Sequence, residues 1–441
     1  MMKITFMGAG STVFVRNIAK DCMNTDVLKE AEFALYDIDG KRLRESQIIL
    51  ESYNERFNQG KAKISSYLGV EKRKDALKNA DFVINTIQVG FYDPCTIIDF
   101  EVPKKYGLRQ TIGDTLGIGG IMRTLRTIPV MRDFAEDIME VCPNALFLNY
   151  VNPMAMLTGY MLRYTPVKTV GLCHSVQVCS KELLEGLNMQ DKLENRKELI
   201  AGINHMAWLL KIEDKYGNDL YPEIRKRAAK KNAEEKHKDM VRFEYIKDFG
   251  YYCTESSEHN SEYNNFYIRR DTPEYIDKFN IPLDEYPRRC VNQMKNWQTE
   301  KENILNHKDK DGFVRSGEYA SIIMEAVITN SAAQIGGNVL NTGLIDNLPQ
   351  NACVEVPCLV NGSGIHPCHV GSLPEQLAAM NRLNINVQLL TIQAAITKKR
   401  EDIYMAAMLD PHTSAELNKD QIKQMVDELI EAHGEYMKEY R

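Results

Sequence analysis

Cys173 and His174 follow directly on the apolar run 169–172, and His205 interrupts a second one in Gly202-Ile203-Asn204-His205-Met206. One thiolate and one imidazole suit a divalent ion and leave positions open for substrate oxygens. Cys173 and His205 are therefore the expected metal ligands. A rival group, His366-Pro367-Cys368-His369, is too tight for its three donors to reach one ion, and the Gly, Ser and Pro around it mark a turn. It is read as structural.

Gly8-Ala9-Gly10-Ser11-Thr12 follows the first apolar run and opens a helical pattern. Backbone amides at such a helix start can face a pyrophosphate with no Cβ in the way, which assigns Gly8, Gly10 and Ser11 to a dinucleotide cradle. Val13 stands where the usual fingerprint has its third glycine. The next run ends in Leu35-Tyr36-Asp37, somewhat beyond the roughly 20 positions usual for the ribose-binding acid. A carboxylate there accepts from both ribose hydroxyls and repels a 2′-phosphate, so Asp37 selects NAD over NADP, although Lys41 and Arg42 stand nearby. The alternative for Asp37 is a turn or helix cap. Asn85-Thr86 and Asn149-Tyr150-Val151-Asn152-Pro153 close two further runs, gathering amides where ligands sit in open α/β sheets. Asn85, Thr86 and Asn149 are read as neighbours of the cofactor, and Asn152 as part of a substrate or nicotinamide clamp.

These residues need a frame to hold them. Apolar runs at 3–7, 32–36, 81–86, 145–150 and 169–172 alternate with helical patterns such as 41–57 and 131–140. That alternation predicts an α/β fold, a Rossmann-like doubly wound parallel sheet of the lactate and malate dehydrogenase kind. The character changes near residue 195: 199–212 reads as one strand, 223–243 as one charged helix, and 375–399 and 419–439 as long helices. The expected division is a dinucleotide-binding domain at 1–195 and an α+β substrate and oligomerisation domain at 196–441. The 441 residues are 44% hydrophobic and 26% charged, enough to bury a large core, and the net charge of −6 offers no basic field for nucleic acid or an anionic membrane. No apolar run approaches the roughly 20 residues of a membrane span. Ten scattered cysteines behind an N-terminus without a secretory pattern predict a cytoplasmic protein with reduced thiols.

Taken together, the glycine turn, Thr111-Ile112-Gly113-Asp114 with Gly119-Gly120 and Arg123, the Asn149 to Pro153 segment, Cys173-His174-Ser175 and Gly202-Ile203-Asn204-His205 resemble glycoside hydrolase family 4 nearly end to end. Within it the α-galactosidase (melibiase) branch is the nearest match. The resemblance implies a redox-neutral cycle that departs from two-carboxylate hydrolysis. NAD⁺ takes hydride from carbon 3 of the sugar, a base removes the proton on carbon 2 while Mn²⁺ (or another divalent metal) stabilises the enolate, the aglycone is eliminated, water adds at carbon 1, and the hydride returns. It also implies that Asn152 binds substrate, that Asn149 lies by the nicotinamide, and that Asp114 assists the base. His174 occupies the place of an acid in phospho-α-glucosidases and serves as acid or as sugar ligand. Matching the stretch 254–263 to the family points to Glu258 as the base, with His259 and Tyr263 as alternatives.

Members acting on 6-phosphosugars grip the phosphate with an arginine where 90–103 here holds no Lys or Arg. An unphosphorylated α-galactoside is therefore the expected substrate, with α-galacturonides, α-glucuronides and α-glucosides as alternatives on the same scaffold. A homodimer or homotetramer is implied as well. Two other classes make distinct predictions: an NAD-dependent dehydrogenase of a hydroxy acid or sugar would accumulate NADH, and a non-catalytic NAD sensor would need no metal.

Overall fold

The computed structural model describes residues 1–11, 13–308 and 315–441. Its frame is one sheet. The strands are β1 (Lys3–Met7), β2 (Glu32–Asp37), β3 (Lys63–Leu68), β4 (Phe82–Asn85), β5 (Leu146–Asn149), β6 (Thr169–Gly171), β7 (Lys197–Ile203), β8 (Met206–Glu213), β9 (Tyr252–Cys253), β10 (Ala333–Leu340), β11 (Cys353–Asn361) and β12 (Gly364–Pro367). They lie in the order β3-β2-β1-β4-β5-β6-β10-β11-β7-β8-β9, with β12 paired to β11. From β3 to β6 neighbours run parallel; from β6 onward they run antiparallel.

Burial follows from this position in the sheet. β1 and β4 are covered on both faces and are buried throughout, their sequences Lys-Ile-Thr-Phe-Met and Phe-Val-Ile-Asn mostly apolar without alternation. β3, the parallel edge, reads Lys-Ile-Ser-Ser-Tyr-Leu and is buried at no position, so its sequence carries no core signal. Chain direction away from β1 reverses between β2 and β4, the switch point beyond whose strand ends ligands bind in this fold.

Two sequence expectations change. The run 199–212 is a hairpin, β7 and β8, turning through Asn204 and His205, with His205 at φ +63°. No Gly-Pro or Asn-Gly signal marks that turn, so the apolar run looked continuous. The run 223–243 is two helices, Tyr221–Glu234 and Met240–Phe249. Between them buried Asp239 takes hydrogen bonds from Arg242 Nε, Ser257 Oγ and the Tyr252 hydroxyl, which holds the chain out of helical continuity.

The C-terminal helices Glu375–Thr397 and Arg400–Leu409 return to pack on the long buried helix Gly117–Val141. Among the described residues no helix is long and apolar enough to cross a membrane, and all ten cysteines are free.

Candidate active site

A cavity of about 980 Å³ opens beyond the carboxyl ends of β1, β2, β4, β5 and β6. Gly8, Gly10, Ser11, Tyr36, Asp37, Ile38, Arg42 and Thr86 line one end. Gly8 has φ +84°, and a Cβ there would meet Ile87 N at 2.7 Å, so neither the turn nor the space admits a side chain. The Gly10 amide donates to Asp37 Oδ2 at 2.6 Å and the Asp39 amide to Asp37 Oδ1 at 2.9 Å. Asp39, not Asp37, caps the helix Gly40–Asn58, accepting from the amides of Lys41 and Arg42. The Asp37 carboxylate therefore faces the cavity, and Arg42 Nε is spent on the Gly10 carbonyl at 3.2 Å. The following helix, Phe14–Met23, begins at Val13 with no side-chain cap. Among the described residues no side chain claims its first amides, which fits an incoming pyrophosphate.

The opposite end draws its donors from three separated segments. Cys173 closes the turn after β6, His205 sits in the β7–β8 turn, and Glu255 follows β9 with φ +64°. One donor atom from each of Cys173, His205 and Glu255 lies within 4.8 Å of the others. His205 Nδ1 meets the Tyr263 hydroxyl at 3.1 Å, leaving Nε2 toward Glu255 Oε2 at 3.5 Å. Burial lowers His205 to about 4, so the ring is neutral at pH 7 and has a lone pair to give. Burial acts upward on Glu255, but the imidazoles of His259, His205 and His174 outweigh it and hold the carboxyl at about 2. Burial also raises the Cys173 thiol well above its ordinary value, so only a cation at its sulfur would draw off the proton. A thiol, a neutral imidazole and a carboxylate are a donor set that fits a divalent transition metal with open positions.

A proton-handling wall adjoins this group. His259 packs edge-on to His205, ring centroids 4.9 Å apart. Its Nδ1 meets Ser256 Oγ at 2.8 Å and Glu255 Oε1 at 3.4 Å, and its Nε2 points to Asp114 Oδ1 at 4.0 Å. Asp114 accepts from Thr115 Oγ1 at 2.7 Å and Asn152 Nδ2 at 3.4 Å. The loop before Asp114 is pinned by buried Glu262, whose carboxylate accepts the amides of Thr111, Ile112 and Gly113 at 2.8, 3.2 and 2.7 Å.

The family 4 glycosyl hydrolase model matches residues 3–189 and its C-terminal domain model residues 200–413. An α-galactosidase of Bacillus subtilis is 60% identical over 442 residues, covering 100% of both chains. The chain belongs to the family 4 glycosyl hydrolases. Among solved structures, LplD of Bacillus subtilis superposes with a TM-score of 0.86 at 24% identity over 97% of this chain and 99% of that one. A 6-phospho-α-glucosidase from gut microorganisms, in complex with NAD and Mn²⁺, gives 0.79 at 21% over 99% and 98%.

In this family 4 chain the structure brings Asp114, Asn152, Cys173, His174, His205 and His259 onto one cavity with Gly8, Gly10, Ser11, Asp37 and Thr86. Three expected residues stand elsewhere. Asn85 and Asn149 are fully buried and off the cavity wall, Asn85 Nδ2 donating to Asn149 Oδ1 at 2.9 Å and Asn149 Nδ2 to the Val151 carbonyl at 3.2 Å. Thr86, also expected beside the cofactor, lines the cavity, and so does Tyr150, the neighbour of Asn149. Strand alternation turns successive side chains to opposite faces, so a reading of strand ends that is one residue early selects the wrong face. Glu258 lies on a separate chamber of about 170 Å³, its carboxylate 3.3 Å from Arg289, while its neighbour His259 reaches the main cavity. Tyr263 is buried with its hydroxyl on His205. The His366 to His369 group is exposed, with His366 on Asn361 and His369 on Asp346.

Arg123 of the family motif lines the cavity too, and Glu255, Tyr286 and Arg289 join it without any sequence signal pointing to them. The available signal for Glu255 was chemical: a catalytic metal usually takes three protein ligands, and only two had been named.

Proposed function

We propose that this chain hydrolyses unphosphorylated α-galactosides with NAD⁺ and Mn²⁺, by oxidation at carbon 3, elimination, water addition and re-reduction. The observation that carries this reading is one cavity with a dinucleotide cradle at one end and the Cys173, His205 and Glu255 donors at the other. The 60% identical α-galactosidase supports the sugar, and the NAD and Mn²⁺ of the related 6-phospho-α-glucosidase support the cofactors. When bound, these supply a hydride acceptor and a Lewis acid.

The chain's own residues do the rest. Asp37 holds the ribose, and the uncapped helix start after Gly10 takes the pyrophosphate. Asn152 and Asp114 orient sugar hydroxyls, joined by their own hydrogen bond. His259, with Nδ1 engaged by Ser256 and Glu255 and Nε2 beside Asp114, is the better placed base; Glu258, beside Arg289, orients the leaving group from the side chamber. His174 lines both spaces and stands where a proton is delivered to the departing oxygen.

The arginines at this end are already engaged. Arg126 grips Asp99 at 3.0 and 2.6 Å, Arg123 donates to the Asn152 carbonyl and Tyr286, and Arg289 pairs with Glu285 and Glu258. That favours a sugar without phosphate. A thiol among the metal donors supports a reducing compartment, the cytoplasm. Residues 1–195 hold the dinucleotide and the thiol; 196–441 supply the imidazole and the carboxylate. Exposed Leu383, Ile396, Met405 and Leu409 on the C-terminal helices support a homodimer or homotetramer.

Hydrolysis of p-nitrophenyl α-galactoside, measured with and without NAD⁺, Mn²⁺ and thiol while net NADH is followed, tests the reading. Nitrophenol release that needs all three without accumulating NADH is expected. NADH accumulating with no bond broken would make the protein a dehydrogenase.

A further inference from the structure

One register row crosses the sheet just beneath the cavity: Asn85 faces Asn149, Asn149 faces Gly171, Gly171 faces Asn338, Asn338 faces Glu355 and Glu355 faces Gly202. Directly opposed residues share a face of the sheet, so the side chains of this row meet one another under the floor of the cavity. Gly171 leaves the gap that makes the row continuous, because a Cβ there would meet Asn338 Cβ at 2.8 Å and Thr158 Oγ1 at 2.6 Å. Glu355, 1% exposed, is the one carboxylate in the row.

Glu355 Oε1 accepts from Asn338 Nδ2 at 2.8 Å and from Asn204 Nδ2 at 3.4 Å. Asn338 Nδ2 also donates to the Gly171 carbonyl at 3.3 Å, two residues before Cys173, and Asn204 immediately precedes His205. The Cys173 backbone is gripped in turn by Tyr319, whose hydroxyl accepts the Cys173 amide at 2.9 Å and reaches the Gly336 carbonyl on β10 at 2.9 Å. His205 needs such a hold, since a side-chain-bearing residue at positive φ is strained by roughly 1 kcal/mol.

We propose that Glu355 is a positioning residue for the metal ligands: through one carboxylate oxygen it ties the end of β6 that leads into Cys173 to the end of β7 that leads into His205, and so sets the spacing of thiol and imidazole. Nothing in the chemistry requires Glu355 to touch substrate or cofactor. The proposal rests on the reading that Cys173 and His205 hold the metal. A carboxylate is suited to the task because its oxygen accepts two amide donors at once, which no apolar side chain of that shape would do. Supports of this kind typically alter metal affinity by about 10- to 100-fold when removed.

The test measures Mn²⁺ and NAD⁺ binding to the full chain by titration calorimetry for the parent, Glu355→Leu, Glu355→Gln and Asn338→Ser. Glu355→Leu is expected to weaken Mn²⁺ about 10- to 100-fold, with NAD⁺ affinity within about twofold of the parent. Glu355→Gln keeps an acceptor oxygen and is expected to restore Mn²⁺ binding to within about threefold. Asn338→Ser removes the donor from the other side, so it reports on the tie even if Glu355→Leu does not fold, and is expected to weaken Mn²⁺ without weakening NAD⁺. Parental Mn²⁺ affinity in a folded Glu355→Leu or Asn338→Ser variant would overturn the proposal, as would equal losses for Mn²⁺ and NAD⁺. Cys173→Ser run alongside separates the two levels: if it binds Mn²⁺ like the parent, the metal reading itself fails and the positioning role goes with it.

Discussion

The two ends of the cavity are assembled in opposite ways. The dinucleotide end is local: Gly8, Gly10, Asp37 and Asp39 come from one strand-turn-helix-strand unit, and the key bond, Gly10 amide to Asp37, spans adjacent parallel strands. The metal end is remote: Cys173, His205, Asp114 and the Glu255–His259 stretch arrive from separate segments, and β10 and β11 splice the β6 that leads to Cys173 to the β7 that leads to His205. Local assembly makes the cradle robust and readable. Remote assembly makes the metal end depend on contacts far from it in sequence, and perturbing one end should leave the other intact.

The largest expected effect is at the remote end. Cys173→Ser or His205→Ala should remove Mn²⁺ binding and lower turnover by about a thousandfold or more, while NAD⁺ still binds; loss of both affinities together would show the ends to be one unit. At the local end, Asp37→Ala gives up charge-assisted hydrogen bonds of about 1.5–3 kcal/mol, weakening NAD⁺ by about 10- to 100-fold with Mn²⁺ affinity unchanged. Equilibrium titration of each variant with each ligand reads both.

Acid should distinguish the ends next. His205 is depressed to about 4 in the folded protein against about 6.5 unfolded. Its contribution to stability is thus complete above pH 6.5 and is lost as pH falls from 6.5 toward 4, where the unfolded chain binds a proton that the fold refuses. The loss is about 3 kcal/mol at most for the metal-free protein. Melting temperatures of the parent and of His205→Gln across that range should converge as the pH drops. The smallest effect tests the buried amides: Asn149→Ala should cost about 1–3 kcal/mol of stability by leaving Asn85 unpartnered, with NAD⁺ affinity shifted less than twofold. A tenfold change in NAD⁺ affinity would return Asn149 to the cofactor.

The same contrast explains what was legible in the sequence. β1, β2, β4, β5 and β6 stand within a residue or so of where apolar periodicity puts them, and Asp37 announces itself by ending a strand after a glycine turn. Cys173 and His205 were visible because reactive side chains at the ends of apolar runs are conspicuous. Glu255 was not, because it sits in a polar stretch after a two-residue strand and takes its importance from contacts with His205 and His259. Asn85 and Asn149 show the finest limit: their type suited ligand binding, and a single step of strand alternation decides that Thr86 faces the cavity without Asn85, and Tyr150 without Asn149.

The register row beneath the site also constrains how the chain can change length. An insertion or deletion in an exposed connection, such as the turn at 361–364 between β11 and β12, leaves the row untouched. One residue added within β10 ahead of Asn338, or within β11 ahead of Glu355, rotates everything beyond it to the opposite face, and the amide and carboxylate under the cavity floor trade places with apolar neighbours. Variation in length among working versions of this enzyme should therefore collect in its connections, while these two central strands keep their residue count.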